Sequence, residues 1–364
     1  MIMAVGLAAI LLAAAGGTRT HPQIPEFKKG TQILQGPARI WGIAAADLDA
    51  DGDLDIVLGA LDGGPLVWLN DGRGGFRGSG QAFGVEMHGV AIGDLDRDGD
   101  PDLFFAPIRN NKPALYWNDG RGSFRSTPLL AGPSESVQLV DADRDGDLDA
   151  YLGKGSVLFV NDGQGGFSPG RLPVPDYSTL ADLNGDGFID AVAAAPGRGF
   201  EVFLNDGKGN FVSSCLASNK DLILAALHFT DIDGDGDIDV VYVNALDEGR
   251  LASGLLLNDG TGRLTDSGQT LGPPAAYGSA ASGDLNGDGR KDIVITDAAG
   301  PARIWLNSGQ GTFVDSGLRL GEETWMTNVL ICDLDGDGDL DLFIPNRRTG
   351  RLEIWFNQLS ETGR

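Results

Sequence analysis

The chain has 364 residues, 56 of them glycine and 17 proline, and carries a formal net charge of −25. Such turn-rich composition argues for many short strands over long helices, and a hydrophobic content of 41% is enough for a sizeable core. Strong acidity without any cluster of Lys and Arg excludes a nucleic-acid binder and leaves a chain that needs cations.

Residues 1–17 are an apolar run that grades into small residues, and they read as a secretory signal cleaved near Ala13-Ala14-Ala15, although no Lys or Arg precedes the run. The run is shorter than the roughly 20 residues that span a bilayer, and no later segment is long and apolar enough, so no stable membrane insertion is expected. The mature protein is therefore expected outside the cytoplasm, extracellular or periplasmic, and as a monomer. Cys215 and Cys332 are too few for a disulfide framework and are expected as small buried hydrophobes.

From there the sequence repeats itself. The string D-x-D/N-x-D-G-x-x-D begins at Asp47, Asp94, Asp141, Asp182, Asp231, Asp284 and Asp333, at intervals of 47, 47, 41, 49, 53 and 49 residues. That period suits one four-stranded propeller blade. In each unit a run of small apolar residues such as Ile43–Ala46 (strand A) enters the acidic loop, and an aliphatic run such as Leu54–Leu58 (strand B) leaves it. A third strand ends in Asn, as in Val67-Trp68-Leu69-Asn70, and a glycine-rich hairpin of the type Asn70-Asp71-Gly72 leads to an aromatic that opens strand D: Phe76, Phe124, Phe167, Phe211 and Phe313, with Leu264 as the substitute. The seventh unit stops at Asn357 without its own strand D, whereas Phe27–Ile33 resembles one. The expected fold is an all-β, seven-bladed propeller over residues 26–357, closed by its first strand, with 358–364 as a short tail.

The acidic loops offer oxygens at positions 1, 3, 5, 7 and 9. In chain order these are Asp47, Asp49, Asp51, Asp53 and Asp55; Asp94, Asp96, Asp98, Asp100 and Asp102; Asp141, Asp143, Asp145, Asp147 and Asp149; Asp182, Asn184, Asp186, Phe188 and Asp190; Asp231, Asp233, Asp235, Asp237 and Asp239; Asp284, Asn286, Asp288, Arg290 and Asp292; and Asp333, Asp335, Asp337, Asp339 and Asp341. Phe188 and Arg290 at position 7 make sense if that position gives its backbone carbonyl. An oxygen-only set without His or Cys excludes zinc, and a loop that wraps its ion with this many ligands favours Ca²⁺ over Mg²⁺, so up to seven calcium ions are expected. An EF-hand is ruled out because position 12 is apolar throughout: Leu58, Phe105, Leu152, Ala193, Tyr242, Ile295 and Ile344. Positions 1, 3, 5 and 9 hold 26 of the 52 acidic residues, a crowding that bound cations would relieve.

These units resemble the FG-GAP or VCBS repeats of integrin α-subunit propellers and of many secreted bacterial proteins. The resemblance rests on the acidic loops, on the Asn-Asp-Gly hairpins and on endings such as Leu58-Gly59-Ala60, Phe105-Ala106-Pro107 and Ala195-Pro196. It implies calcium between strands A and B and ligand binding on the opposite face of the disc, and integrin function is not carried over. No inserted domain, stalk or membrane helix of the integrin kind is expected.

The face away from the acidic loops is expected to carry Trp41, His88, Arg109, Glu135, Asp176, Tyr177, Tyr277, Trp325, Arg347 and Arg348. Aromatic and polar side chains around an axis suit a carbohydrate or an extracellular protein ligand, although they would equally cap the inner strands. For an enzyme the chain offers little: three His, no Gly-x-Ser-x-Gly string and no Ser-His-Asp order. A binding module without assigned catalytic residues is the expectation; a polysaccharide lyase using His88 or a Tyr beside Arg109 is the alternative.

Overall fold

The computed structural model describes residues 22–359 apart from 62–65, 82, 84–85, 108–112, 129–135, 154, 196–198, 218–223, 245–251, 273–277, 298–299 and 322–327. It is an all-β propeller of seven antiparallel blades. The first blade orders its strands Ile40–Ala46, Asp55–Ala60, Leu66–Asn70 and Phe76–Gly78 from the axis outward, and the next five repeat the scheme. Among the described residues no helix is long and apolar enough to cross a membrane.

The strand chemistry follows position in the disc. Strand A tends to small residues where it nears the acidic loop, as in Ala44, Ala45 and Ala46 of blade 1 and Ala280–Gly283 of blade 6, because seven such strands converge on the axis. Strand B is buried along its whole length in blades 1, 5, 6 and 7, since a neighbouring blade covers either face. Strand D faces solvent, and its burial falls away after the opening aromatic, as in Phe76–Gly78. Hydrophobic clusters lie between blades. The cluster at the closure unites Leu34, Ile56, Leu58 and Phe76 with Leu334, Phe343 and Ile354, and large side chains buried this way contribute about 1.5–3 kcal/mol each.

Closure occurs as the sequence predicts. Phe27–Lys29 pairs antiparallel with the last strand, Arg351–Asn357, in the register Phe27↔Asn357 and Lys29↔Trp355. The expected single strand is divided, however. A second short piece, Leu34–Gln35, pairs with the same strand at Leu352 and Arg351, and the intervening Gln32 instead exchanges bonds with the Phe76 backbone of blade 1, 2.6 Å from its carbonyl and 2.9 Å from its N–H. The segment thereby clasps blades 7 and 1 together. Cys332 lies on the inner strand of blade 7, where burial pushes its thiol up to about 12; the Cys215 side chain lies outside the described residues.

Candidate functional site

Alternating strand direction puts all acidic A–B loops and the Asn-Asp-Gly hairpins on one face, and the B–C and D–A connections on the other. On the acidic face the loops shape themselves. Asp47 accepts the N–H groups of Asp51 (3.1 Å) and Gly52 (3.0 Å), and Asp51 accepts that of Asp53 (3.1 Å). The turn needs left-handed backbone at position 4 (Ala50, φ 59°) and position 6 (Gly52, φ 96°).

Position 9 is a brace as well as a donor. Asp55 is fully buried; one of its oxygens accepts the Leu48 N–H at 2.9 Å and the other the Asn70 N–H at 2.8 Å. The same pair of bonds recurs in all seven blades, through Asp102, Asp149, Asp190, Asp239, Asp292 and Asp341. The Asn at the end of strand C continues the chain of bonds into the preceding blade. Asn118 donates from Nδ2 to Pro101 O in its own blade (3.1 Å) and to Leu48 O in blade 1 (2.9 Å). Asn161, Asn258, Asn307 and Asn357 reach back in the same way, and Asn70 reaches Leu334 of blade 7 at 3.0 Å, which closes the circle.

In five loops the carboxylates of positions 1, 3 and 9 converge, with one oxygen of each within 4.8 Å of the others: Asp47, Asp49 and Asp55; Asp94, Asp96 and Asp102; Asp141, Asp143 and Asp149; Asp231, Asp233 and Asp239; Asp333, Asp335 and Asp341. Buried Oδ1 atoms of Asp49, Asp94 and Asp335 have no hydrogen-bond partner. Burial pushes Asp55, Asp102 and Asp239 up to about 6, and Asp292 and Asp341 to about 7. Oxygen donors that are convergent, buried and unsatisfied fit a hard metal ion. Position 7 side chains turn elsewhere: Asp53, Asp100, Asp147, Phe188 and Asp237 occupy the space in which a Cβ on the hairpin residues Gly72, Gly120, Gly163, Gly207 and Gly260 would stand. Loops 4 and 6, with Asn184 and Asn286 at position 3, engage position 5 internally. Asn184 Nδ2 donates to Asp186 at 2.9 Å, and the Arg290 guanidinium pairs with Asp288.

On the open face two of the sequence candidates meet. Trp41 and His88 each occupy a β-bulge at the start of strand A, where the register slips between Ile40 and Gly42 and between Met87 and Gly89. Gly42 and Gly59 permit the approach, because a Cβ on either would lie 2.8 or 2.9 Å from the His88 carbonyl. The indole and imidazole stack with centroids 4.4 Å apart and planes 26° apart. From the other side comes Arg347, its guanidinium 3.3 Å from the Trp41 ring centroid. Arg347 and Arg348 sit on a tight turn in which Asn346 Oδ1 accepts the N–H groups of Arg348 (3.1 Å) and Thr349 (3.0 Å). The Arg39 N–H donates to the Arg347 carbonyl at 2.9 Å. Ala38, Arg39, Arg347 and Arg348 line a cleft of about 410 Å³. Arg39 is not legible as a candidate in the sequence; its left-handed backbone (φ 59°) and its tie to a residue more than 300 positions away place it there. Tyr177 is exposed at the rim of blades 3 and 4, where its N–H donates to Gly153 O at 2.7 Å, and Asp176 beside it is exposed. Arg109, Glu135, Tyr277 and Trp325 lie outside the described residues.

His228 stands on the inner strand of blade 5, with Nε2 2.9 Å from Ser282 Oγ of blade 6. Burial, with a contribution from the charge of Lys291, lowers it to about 4, so it is a neutral, weakly basic imidazole.

A disc of seven such blades, with an Asp-rich loop at every A–B turn and convergent carboxylates in five of them, defines a repeat propeller. The chain belongs to the FG-GAP-like repeat proteins: that family matches residues 47–105, 94–152, 182–242, 231–295 and 284–344, which together make up well over half of it. No curated protein matches it in sequence. Among solved structures it is similar to an Agrocybe aegerita lectin that recognises non-reducing terminal N-acetylglucosamine (21% identity, TM-score 0.56, 89% of this chain and 90% of that one). It is also similar to the BP39L lectin of Burkholderia pseudomallei (16% identity, TM-score 0.64, 89% and 97%) and to BBS1N in complex with ARL6DN (12% identity, TM-score 0.55, 89% and 92%). At these identities the likeness is one of fold.

Proposed function

We propose that the protein is a secreted, calcium-stabilised propeller that binds carbohydrate, as an adhesion or recognition module, on the face away from its acidic loops. The observation that carries this reading is the Arg347–Trp41–His88 stack, which joins side chains from three blades beside a cleft lined by Arg347. A cleft of about 410 Å³ lies in the range of small-molecule sites, and two of the structurally similar propellers are lectins. Asp47, Asp49 and Asp55 and their counterparts would hold Ca²⁺, with position 5 and the position 7 carbonyl completing each set. The ion supplies neutralising charge to carboxylates that are costly to bury, and by binding only the folded state it adds stability.

The test is a glycan array probed with the chain lacking residues 1–17, with Ca²⁺ and with EGTA, alongside calorimetry in both conditions. Binding without turnover, abolished by His88→Ala together with Arg347→Ala while calcium-dependent melting is kept, is the expected result. Cleavage of a polysaccharide would replace the module by a lyase, and a melting transition indifferent to EGTA would remove calcium from the account.

A further inference from the structure

We propose that the cleft at the junction of blades 7 and 1 is a subsite for a carboxylate-bearing sugar, so that the glycan this protein takes is acidic. The inference rests on the carbohydrate reading above and narrows it to one chemical class.

In a chain of net charge −25, three of the four described residues that line this cleft are arginines, Arg39, Arg347 and Arg348. Lysine would bring charge alone; the planar guanidinium brings paired N–H donors in a fork that matches a carboxylate. The structure restrains that side chain: the Arg347 guanidinium carbon lies 3.3 Å from the Trp41 ring centroid, a cation–π contact that limits where the group can stand. The turn beneath it is fixed by Asn346, and Gly350, at φ 69°, leaves no room for a side chain, since a Cβ there would lie 2.5 Å from Gly36 O. The guanidiniums therefore stand on a rigid frame, which lowers the ordering cost of binding.

Trp41 takes a different part from the one its type suggests. Its partners are His88 from the blade on one side and Arg347 from the blade on the other, so it works as a positioning residue for Arg347 instead of as a platform for the sugar ring. Among the described residues the cleft is bounded by one turn and one blade crossing, which suits a single charged sugar better than an extended peptide, for which a strand edge or long groove is the usual receptor.

The test is calorimetric titration of the calcium-loaded protein with trigalacturonate, its methyl ester, a sulfated trisaccharide and a triglutamate peptide. Trigalacturonate should bind at least about tenfold more tightly than each of the others. Arg348→Gln and Arg347→Lys should each weaken it by about tenfold, the second because the fork is lost while the charge stays. Trp41→Ala should reproduce the Arg347→Lys loss, and melting temperatures within a degree or two of the parent's show that these variants fold. Equal binding of the ester, or tighter binding of the sulfated sugar or the peptide, overturns the acidic-sugar assignment while a glycan-binding propeller can still stand. Trigalacturonate binding that ignores both arginine changes overturns the location. Failure of every sugar, here and on the array, removes the carbohydrate reading itself.

Discussion

In five of the acidic loops the position 9 carboxylate both joins the convergent acidic cluster and satisfies two backbone N–H groups, and these two duties are separable. Asp55→Ala leaves the Leu48 and Asn70 N–H groups buried without partners, so it should cost about 3 kcal/mol or more in urea unfolding even in EGTA. Asp49, whose Oδ1 is buried without a partner, would on the proposed function owe its value to the ion. Asp49→Ala should cost little in EGTA and reduce the stabilisation that calcium adds; equal losses for the two variants in EGTA would contradict this division. Arg290 makes a similar point in loop 6, where its guanidinium already neutralises Asp288. Arg290→Asp should raise the ion count by one in native mass spectrometry, and an unchanged count would argue against internal neutralisation. The third case is His228, held near 4 by burial and by Lys291. An imidazole with a lowered folded pKa makes the unfolded state the better proton binder, so its contribution is present above about 6.5 and is lost as pH falls towards 4. Compared with His228→Gln, the parent should therefore lose more stability between pH 7 and pH 4.5; parallel pH profiles would count against it.

Strand endings as well as faces join the blades. Each strand C finishes in an Asn, and in six of the seven blades its amide donates to the loop of the blade before. Asn205 bonds Ile189 of its own blade, so the set contains a comparison. Asn118→Ala should cost roughly 1 kcal/mol more than Asn205→Ala in calcium, because a cross-blade carbonyl is orphaned only in the first; equal costs would show that the circle adds nothing. The sequence displayed the period, the acidic loops, the hairpins and the need for the first strand to complete the last blade, because turn chemistry and alternation are local signals. It displayed the Asn but not its partner, which lies 70 residues away in Asn118 and Leu48 and becomes a neighbour only once blades stack. The bulges at Trp41 and His88 and the contact of Arg347 with Trp41 were hidden for the same reason: they depend on register and on ring closure, which no single repeat encodes.

For the disc as a whole, the decisive element is the N-terminal clasp, which pairs with the last strand, bonds Gln32 to blade 1 and carries Arg39 to the cleft. A chain beginning at residue 37 should lose the single sharp melting transition of the parent, and a synthetic peptide of residues 22–36 should restore it; a sharp unaided transition would show the ring to be stable open. The clasp also sets an order of events. It is made before the six intervening blades and its partner strand, which ends at Asn357, and it must stay available while those blades assemble behind it. During that interval nothing in its hydrogen bonds distinguishes the last strand of its own chain from that of a neighbour. At high concentration, folding should therefore yield exchanged pairs and open strings of propellers, each lending its first strand to the next, which dilution before folding would suppress.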